Sequence, residues 1–324
     1  MTDEINPSAN YVSASIHRDF YYSAALDTAT LVKEYPEIEQ ILLQSGFLAC
    51  ITIQIDQFRE VEYQYGSQIY SQLQRNTREI IHQAKSTSLR ANDILLVDLF
   101  DYDAFIIFLS PPRKDDTFML AHLEDITERM RSNVEPKIFD QFFPYLRKLI
   151  KPSVGFSMII RNCMINPVRL IAQLLRDSKE MGRFLAKKHE YSRKYLLQRL
   201  IIQNDISTVF QPVVDMSTLS IFGYEALTRG PAETEFASPM LLFVAASEMG
   251  LLFELDSLCR KKAFERARNL DPNTKILVNT LAMTIHDPEF RGKYLEDLLN
   301  DLQIKPQNVI FEVNEKLAID NYDL

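Results

Sequence analysis

Residues 207–230 read STVFQPVVDMSTLSIFGYEALTRG, and the two apolar runs in this stretch predict two successive β-strands. The sequences KILVNTLA (275–282) and NVIFEVNE (308–315) predict two further strands. Helices are predicted between the last three strands, which is typical of parallel strands in a (β/α) barrel; they cover residues 239–249, 254–270 and 289–302. Because only four strands precede Leu324, we expect half a barrel with an unpaired sheet edge.

Strands and helices also alternate in the first half of the chain. The apolar runs at 94–100 and 105–109 surround a short polar connection, and this pattern predicts a hairpin. Further strands are predicted at 47–55 and 152–160, and helices at 37–46, 65–81, 116–132 and 167–190. We therefore predict a compact α/β domain with an antiparallel hairpin. The predicted divisions are an N-terminal tail (1–24), a first domain (25–192), a charged helical connector (193–206) and a second domain (207–324).

The composition limits the classes of protein to consider. The 324 residues are 46% hydrophobic and 25% charged, which is typical of a globular chain with room for about two domains. The net charge of −8 argues against a nucleic-acid partner, because phosphate binding requires clustered Lys and Arg. Three widely separated cysteines suggest neither a disulfide framework nor a zinc site. We find no signal peptide and no apolar run long enough for a membrane segment, so we expect a cytoplasmic protein.

Polar residues lie near the ends of three predicted strands of the second half. These residues are Glu225, Asn279 and Glu312, with Glu315 close behind. Since the carboxyl ends of barrel strands meet on one side, three oxygen donors there can bind a hard cation such as Mg²⁺ or Mn²⁺. Such ions suit phosphodiester cleavage because they activate water. From spacing alone, a solvated or salt-bridged surface group is the commoner role for any one of these side chains.

Ordered sequence blocks over residues 199–320 resemble the EAL family of cyclic di-GMP phosphodiesterases. The blocks are Gln211–Asp215, Gly223–Arg229, Pro239 with Ala246, Glu248 and Gly250, Leu255–Asp256, Val278–Asn279 and Phe311–Glu315. The resemblance implies metal ligands at Glu225, Asn279 and Glu312. It implies catalytic roles for Glu225 and Glu315, the latter holding a loop near the metals. It also implies contacts with the dinucleotide from Gln211, Leu227 and Arg229, with Arg229 reaching a phosphate.

The sequence departs from the EAL pattern in two respects. Asn314 stands where the family usually has Thr in its E-x-T-E motif. The family's paired aspartates, catalytic lysine and downstream glutamate and glutamine do not occur before Leu324. We therefore expect that this chain alone does not hydrolyse cyclic di-GMP, whereas an intact parent protein hydrolyses it to the linear dinucleotide.

Residues 25–192 resemble a GGDEF diguanylate cyclase domain, which implies a nucleotide-cyclase-like α/β sandwich. The resemblance rests on Ile55–Arg59 with Tyr65–Gly66, Leu89–Asp93, Asp101–Phe105, Ser153–Phe156 and Ala186–Lys188. The residues that carry the cyclase chemistry have been lost. At their positions this sequence has Gln54, Glu62, Ser71 and Ala104. Gln54 brings no charge to a cation, and the hairpin has lost both its glycines and its acidic fourth residue. We therefore expect no cyclase activity.

Arg90 and Asp93 have the R-x-x-D form of the inhibitory cyclic di-GMP site in the GGDEF family, but a solvated loop is the commoner origin of such a pattern. We expect cyclic di-GMP as the ligand, and a homodimer through either domain stays open. Three functions also stay open: a metal-dependent phosphodiesterase with a GGDEF-like regulatory domain, a cyclic di-GMP receptor or protein-interaction scaffold without turnover, and an unrelated α/β scaffold.

Overall fold

The computed structural model describes residues 22–23, 26–98, 103–110, 120–271, 273–282, 284 and 287–313. Within these residues the chain forms two compact units, which divide between Glu190 and Tyr191. One helix, Pro167–Ile202, continues across this division, so the helix predicted at 167–190 and most of the predicted connector form a single element. None of the helices described is both long and apolar enough to cross a membrane.

The first unit is built around an antiparallel sheet. Its elements are β1 (Tyr22–Ser23), β2 (Thr28–Ala29), α1 (Leu31–Ser45), β3 (Phe47–Gln54), α2 (Phe58–Ser88), β4 (Ile94–Val97), β5 (Ala104–Leu109), α3 (Leu120–Leu146), β6 (Ser153–Ile160) and the beginning of α4 (Pro167–Ile202). The sheet order is β4-β5-β3-β6, and β1 pairs separately with β2. The predicted hairpin is confirmed, because β4 and β5 pair antiparallel.

Alternating residues of β3 divide the core of the first unit into two layers. Ala49, Ile51 and Ile53 pack in a cluster lined by α2 and α3. Leu48 and Cys50 pack in a second cluster, lined by α1 and α4. This division follows from the two-residue period of a strand, which sends successive side chains to opposite faces. Helices therefore cover both faces of the sheet, and the α/β fold class predicted for this unit is confirmed.

Helix α4 lies unusually close to strand β6. A Cβ atom on Gly155 would lie 2.1 Å from the carbonyl oxygen of Ser178 and 2.3 Å from the backbone nitrogen of Gly182. Only glycine allows backbones to approach to this extent. Ser178 also shares a hydrogen bond of 2.9 Å with Thr52 on β3, which ties the helix to the sheet.

The second unit is built around a mostly parallel sheet. After the end of α4, its elements are β7 (Ser207–Asp215), β8 (Ser220–Arg229), α5 (Pro239–Glu248), α6 (Leu252–Ala267), β9 (Lys275–Thr280), α7 (Gly292–Asp301) and β10 (Val309–Val313), with short 3₁₀ turns at Glu235–Ala237, Pro288–Phe290 and Pro306–Asn308. The order is β10-β9-β8-β7. Strands β8, β9 and β10 lie parallel and β7 pairs antiparallel with β8, so the predicted parallel arrangement is confirmed. The described sheet is open and does not close into a barrel.

One face of this sheet packs against helices. Ala226, Ile276 and Val278 form a buried cluster with Phe264 of α6 and Leu299 of α7. Residues one position away along each strand project from the opposite face. We call this opposite face, defined by the odd-numbered residues of β8 and β9, the open face.

Candidate functional site

Four of the predicted site residues lie on the open face. Gln211 and Glu225 are register partners in β7 and β8. Asn279 and Glu312 are register partners in β9 and β10. Glu225 pairs with Leu277, two residues before Asn279, so both side chains project to the same side of the sheet. Neighbouring strands are roughly 4.8 Å apart, which brings these side chains within reach of one another.

Glu225 and Asn279 are in direct contact. The amide nitrogen Nδ2 of Asn279 donates a hydrogen bond of 2.8 Å to Oε1 of Glu225. Asn279 is exposed, whereas Glu225 and Glu312 are half-buried. Because the amide nitrogen of Asn279 faces the carboxylate of Glu225, the amide oxygen of Asn279 is available to accept from or bind a different partner.

The oxygen atoms of Glu225, Asn279 and Glu312 fit a hard divalent cation. Carboxylate and amide oxygens are the ligands that Mg²⁺ and Mn²⁺ prefer, and here they come from three adjacent strands on one face. Across the described ranges, no three His, Cys, Asp or Glu side chains are grouped closely enough to hold a metal, and this set combines two carboxylates with the amide of Asn279. Glu315, the fourth predicted acidic residue, lies outside the described residues.

A cavity of about 270 Å³ lies on the helix-packed side of the strand ends, where Ala226, Val278 and Ala263 of α6 line it. Its wall also includes Leu227, Arg229 and Asn279. The guanidinium of Arg229 donates a hydrogen bond of 2.8 Å to the carbonyl of Thr228. Oγ1 of Thr208 and Oγ1 of Thr280 are buried in the same wall, without a hydrogen-bond partner among the residues described. Buried hydroxyls normally have partners, so the cavity is suited to a molecule with polar groups.

Behind the cavity lies a buried ion-pair network that the sequence analysis missed. Arg260 of α6 is 2% exposed and forms an ion pair with Asp256, one helical turn earlier. Its Nη2 lies 2.5 Å from Oδ2 of Asp287, and its Nη1 donates to Oγ1 of Thr284 at 2.9 Å. Thr284 in turn donates to Oδ2 of Asp256 at 2.8 Å. Burial lowers the pKa of Arg260 to about 10, which leaves it charged at neutral pH.

The predicted lost cyclase positions lie on three elements of the first unit. Gln54 and Ala104 are register partners in β3 and β5. Glu62 and Ser71 both lie on α2, where Glu62 accepts a hydrogen bond of 2.8 Å from Ser67. Gln54 and Ala104 thus place an amide and a methyl group side by side on neighbouring strands.

Asp93, predicted for a possible inhibitory site, is 5% exposed and hydrogen-bonded within the chain. Its Oδ2 accepts from the backbone nitrogen of Arg90 at 2.8 Å. Its Oδ1 accepts from both the backbone nitrogen and the hydroxyl of Ser110, each at 2.7 Å. The carboxylate therefore joins the loop before β4 to the end of β5, which is a structural role.

Residues 196–323 match the family model of the EAL domain. The second unit is therefore similar to the EAL domain. The open face that carries Glu225, Asn279 and Glu312 lies within the matched residues.

Two similar curated proteins come from Escherichia coli K12. PdeB, a probable cyclic di-GMP phosphodiesterase, is 29% identical over 129 residues, which cover 39% of this chain and 25% of PdeB. PdeI, also a probable cyclic di-GMP phosphodiesterase, is 25% identical over 118 residues, which cover 34% of this chain and 15% of PdeI. The chain thus spans a quarter or less of the length of these relatives.

A similar solved structure is the S helix-GGDEF-EAL portion of Vibrio cholerae LapD bound to c-di-GMP. It is 12% identical, with a TM-score of 0.37, and the match covers 98% of this chain and 75% of that chain. The resemblance to the EAL family predicted from the sequence is confirmed by the family model and by the similarity to PdeB.

Proposed function

We propose that the second unit binds cyclic di-GMP and a divalent cation on its open face, as part of a cyclic di-GMP phosphodiesterase. The observation that carries the proposal is the placement of Glu225, Asn279 and Glu312 on adjacent strands, with Asn279 hydrogen-bonded to Glu225 at 2.8 Å. The match to the EAL domain and the similarity to PdeB support the same ligand.

In this proposal each residue on the open face has a separate task. Glu225, Asn279 and Glu312 would hold Mg²⁺ or Mn²⁺, which when bound supplies positive charge at a phosphate and acidifies a water. Arg229 presents a guanidinium whose fork of donors suits a phosphate of the dinucleotide. Gln211 and Leu227 line the ligand, and Glu315 acts as the second catalytic acidic residue.

We assign the first unit a regulatory role without cyclase activity. Gln54 and Ala104 cannot supply the negative charge that a metal-bound nucleotide requires. The nearby Asp103 is buried and already engaged, since it accepts a hydrogen bond of 3.1 Å from Tyr70 and lies 3.5 Å from Arg59. These contacts support a packing role for the hairpin formed by β4 and β5.

A second candidate is a receptor that binds cyclic di-GMP without hydrolysing it. The cavity that includes Arg229 and Asn279 in its wall favours this candidate, because Thr208 and Thr280 offer hydroxyl groups and Leu227 and Val278 offer apolar contacts. Such a receptor would also serve as a scaffold whose partners respond to the ligand.

Calorimetric titration of cyclic di-GMP into the full chain tests both candidates, first with Mg²⁺ and then with Ca²⁺, beside an assay for the linear dinucleotide. We expect Glu225→Gln and Arg229→Ala each to raise the Kd at least about tenfold, as loss of a charged contact does. Glu254→Gln, an exposed position on α6, is the matched control and should leave the Kd unchanged. Product formation would establish the enzyme and contradict the expectation that this chain alone does not hydrolyse cyclic di-GMP. Binding without product agrees with both the partial phosphodiesterase and the receptor. Absence of binding with either metal refutes the proposal.

A further inference from the structure

The Arg260 network lies beside the candidate ligand site. Strand β9 ends at Thr280, directly after Asn279, and the chain then continues towards α7. Thr284 and Asp287, the two partners of Arg260 outside its own helix, belong to this continuing segment. We call the described residues between β9 and α7, which are residues 281, 282, 284 and 287–291, the β9–α7 segment.

The network also reaches the neighbouring strand β10. The guanidinium carbon of Arg260 lies 4.2 Å from the centre of the Phe290 ring. Phe290 packs edge-on against Phe311, with 4.7 Å between ring centroids. Phe311 directly precedes Glu312, so the contacts of Arg260 extend, through Phe290, to β10, one of the three strands that present candidate cation ligands.

The arrangement depends on the shape of the guanidinium group. Two of its nitrogens contact three oxygen-bearing side chains that diverge from one centre, Asp256, Thr284 and Asp287. An ammonium group has no such planar fork. Because the network is buried, removal of one partner leaves charge uncompensated in a low-dielectric interior, and the segment must move to restore solvation.

Asp256, Thr280 and Leu281 all line the cavity beside Asn279. Asp256 is therefore at once a partner of Arg260 and part of the cavity wall. A shift of the β9–α7 segment would displace that wall and the end of β9 together.

We propose that Arg260 is a positioning residue for the ligand site. It fixes the β9–α7 segment to α6, so that Asn279 and the cavity wall keep the arrangement that the ligand requires. The identity of the ligand rests on the function proposed above, whereas the effect of Arg260 on the segment does not.

The test compares Arg260→Leu and Thr284→Val with Arg266→Leu in the full chain. Arg266 is an exposed arginine on the same helix and serves as the matched control. Thr284→Val keeps the shape of the side chain and removes only the bridging hydroxyl, so it carries the test if Arg260→Leu does not fold. In both test variants we expect amide hydrogen exchange in the β9–α7 segment to accelerate at least about tenfold, with β7 and β8 unchanged. The Kd for cyclic di-GMP should rise by a similar factor.

A double-mutant cycle separates positioning from a merely structural role. If Arg260 acts through the end of β9, the effects of Arg260→Leu and Asn279→Ala on the Kd are less than additive. A lower Tm with an unchanged Kd, or additive effects on the Kd, would overturn the proposal. If the unsubstituted chain does not bind cyclic di-GMP, the proposed function fails. Amide exchange then decides the role of Arg260, and unchanged exchange in the segment refutes it.

Discussion

Asn279 and Glu225 show what a single hydrogen bond contributes to a candidate cation site. The contact of 2.8 Å sets the amide oxygen of Asn279 and the carboxylate of Glu225 in a fixed relation before any cation binds. An amide is suited to this position because it donates to the carboxylate through one atom and accepts through the other. A carboxylate in its place has no donor when ionised.

Asn279→Asp should therefore make stability depend on divalent cations. Two ionised carboxylates in contact repel each other, and we expect a loss on the order of 1 kcal/mol in the free energy of unfolding without metal, limited by the exposure of residue 279. Mg²⁺ should restore the Tm of the variant more than it raises that of the unsubstituted chain. Thermal unfolding with EDTA and with Mg²⁺ measures this difference. Equal effects of Mg²⁺ on both proteins would contradict the assignment of a cation site.

The three cysteines should differ sharply in reactivity. Cys163 is exposed, whereas Cys50 and Cys259 are buried. Burial raises the pKa of both Cys50 and Cys259 to about 12, so they stay protonated and unreactive at pH 8. We expect Ellman's reagent to titrate one thiol quickly in the native chain and all three in guanidinium chloride. Cys163→Ser should abolish the fast phase, and a fast phase that survives would show that a core opens readily.

The residues of the open face could be predicted from the sequence because the EAL resemblance fixes them one by one. The Arg260 network could not, since its partners Thr284 and Asp287 are 24 and 27 residues away in sequence. Its local signal was a charged pair four residues apart, Asp256 and Arg260, on a helix whose neighbouring residues are apolar. That spacing usually indicates an exposed ion pair, and only the packing shows that this one is buried.

At the level of elements, Asp93 links the loop before β4 to the end of β5. Asp93→Ala removes the acceptor for three hydrogen bonds, two of them from backbone nitrogens of Arg90 and Ser110. We expect a loss of about 2–3 kcal/mol in the free energy of unfolding, because buried donors are left without partners. Urea unfolding measures it, and Asp125→Ala, at an exposed position of α3, is the control. A loss no larger than that of the control would show that Asp93 is not a structural residue.

Element boundaries could be predicted only in part. Apolar runs located the strands well, as at β3, predicted at 47–55 and observed at Phe47–Gln54. Helices were less certain, because periodicity marks only the buried part of a helix. Helix α2 runs from Phe58 to Ser88 with a kink at Gly66, whereas the apolar spacing indicated residues 65–81. Helix α4 contains no proline after its first residue, so nothing in the sequence ends it before Ile202.

At the scale of the whole molecule, the two units should lose stability separately. Asp93 belongs to the unit that ends at Glu190 and Arg260 to the unit that begins at Tyr191. We expect Asp93→Ala to accelerate amide exchange mainly in β4 and β5, and Arg260→Leu mainly around β9 and α6. Native-state exchange across the chain measures both patterns. Equal acceleration throughout the chain by either variant would show that it unfolds as a single cooperative body.

The alternation of side chains along β8 also has a use in protein engineering. Glu225, Leu227 and Arg229 belong to the open face, while Ala226 packs in the buried cluster with Val278. A combinatorial library limited to Glu225, Leu227 and Arg229 would sample new ligand preferences with little effect on folding yield. Gly223 stays fixed, because a Cβ atom there would lie 2.6 Å from the carbonyl oxygen of Lys275. A library at the buried position Ala226 would instead select for expression and heat tolerance. Ligand recognition and thermal stability can thus be evolved on one strand in separate rounds of selection.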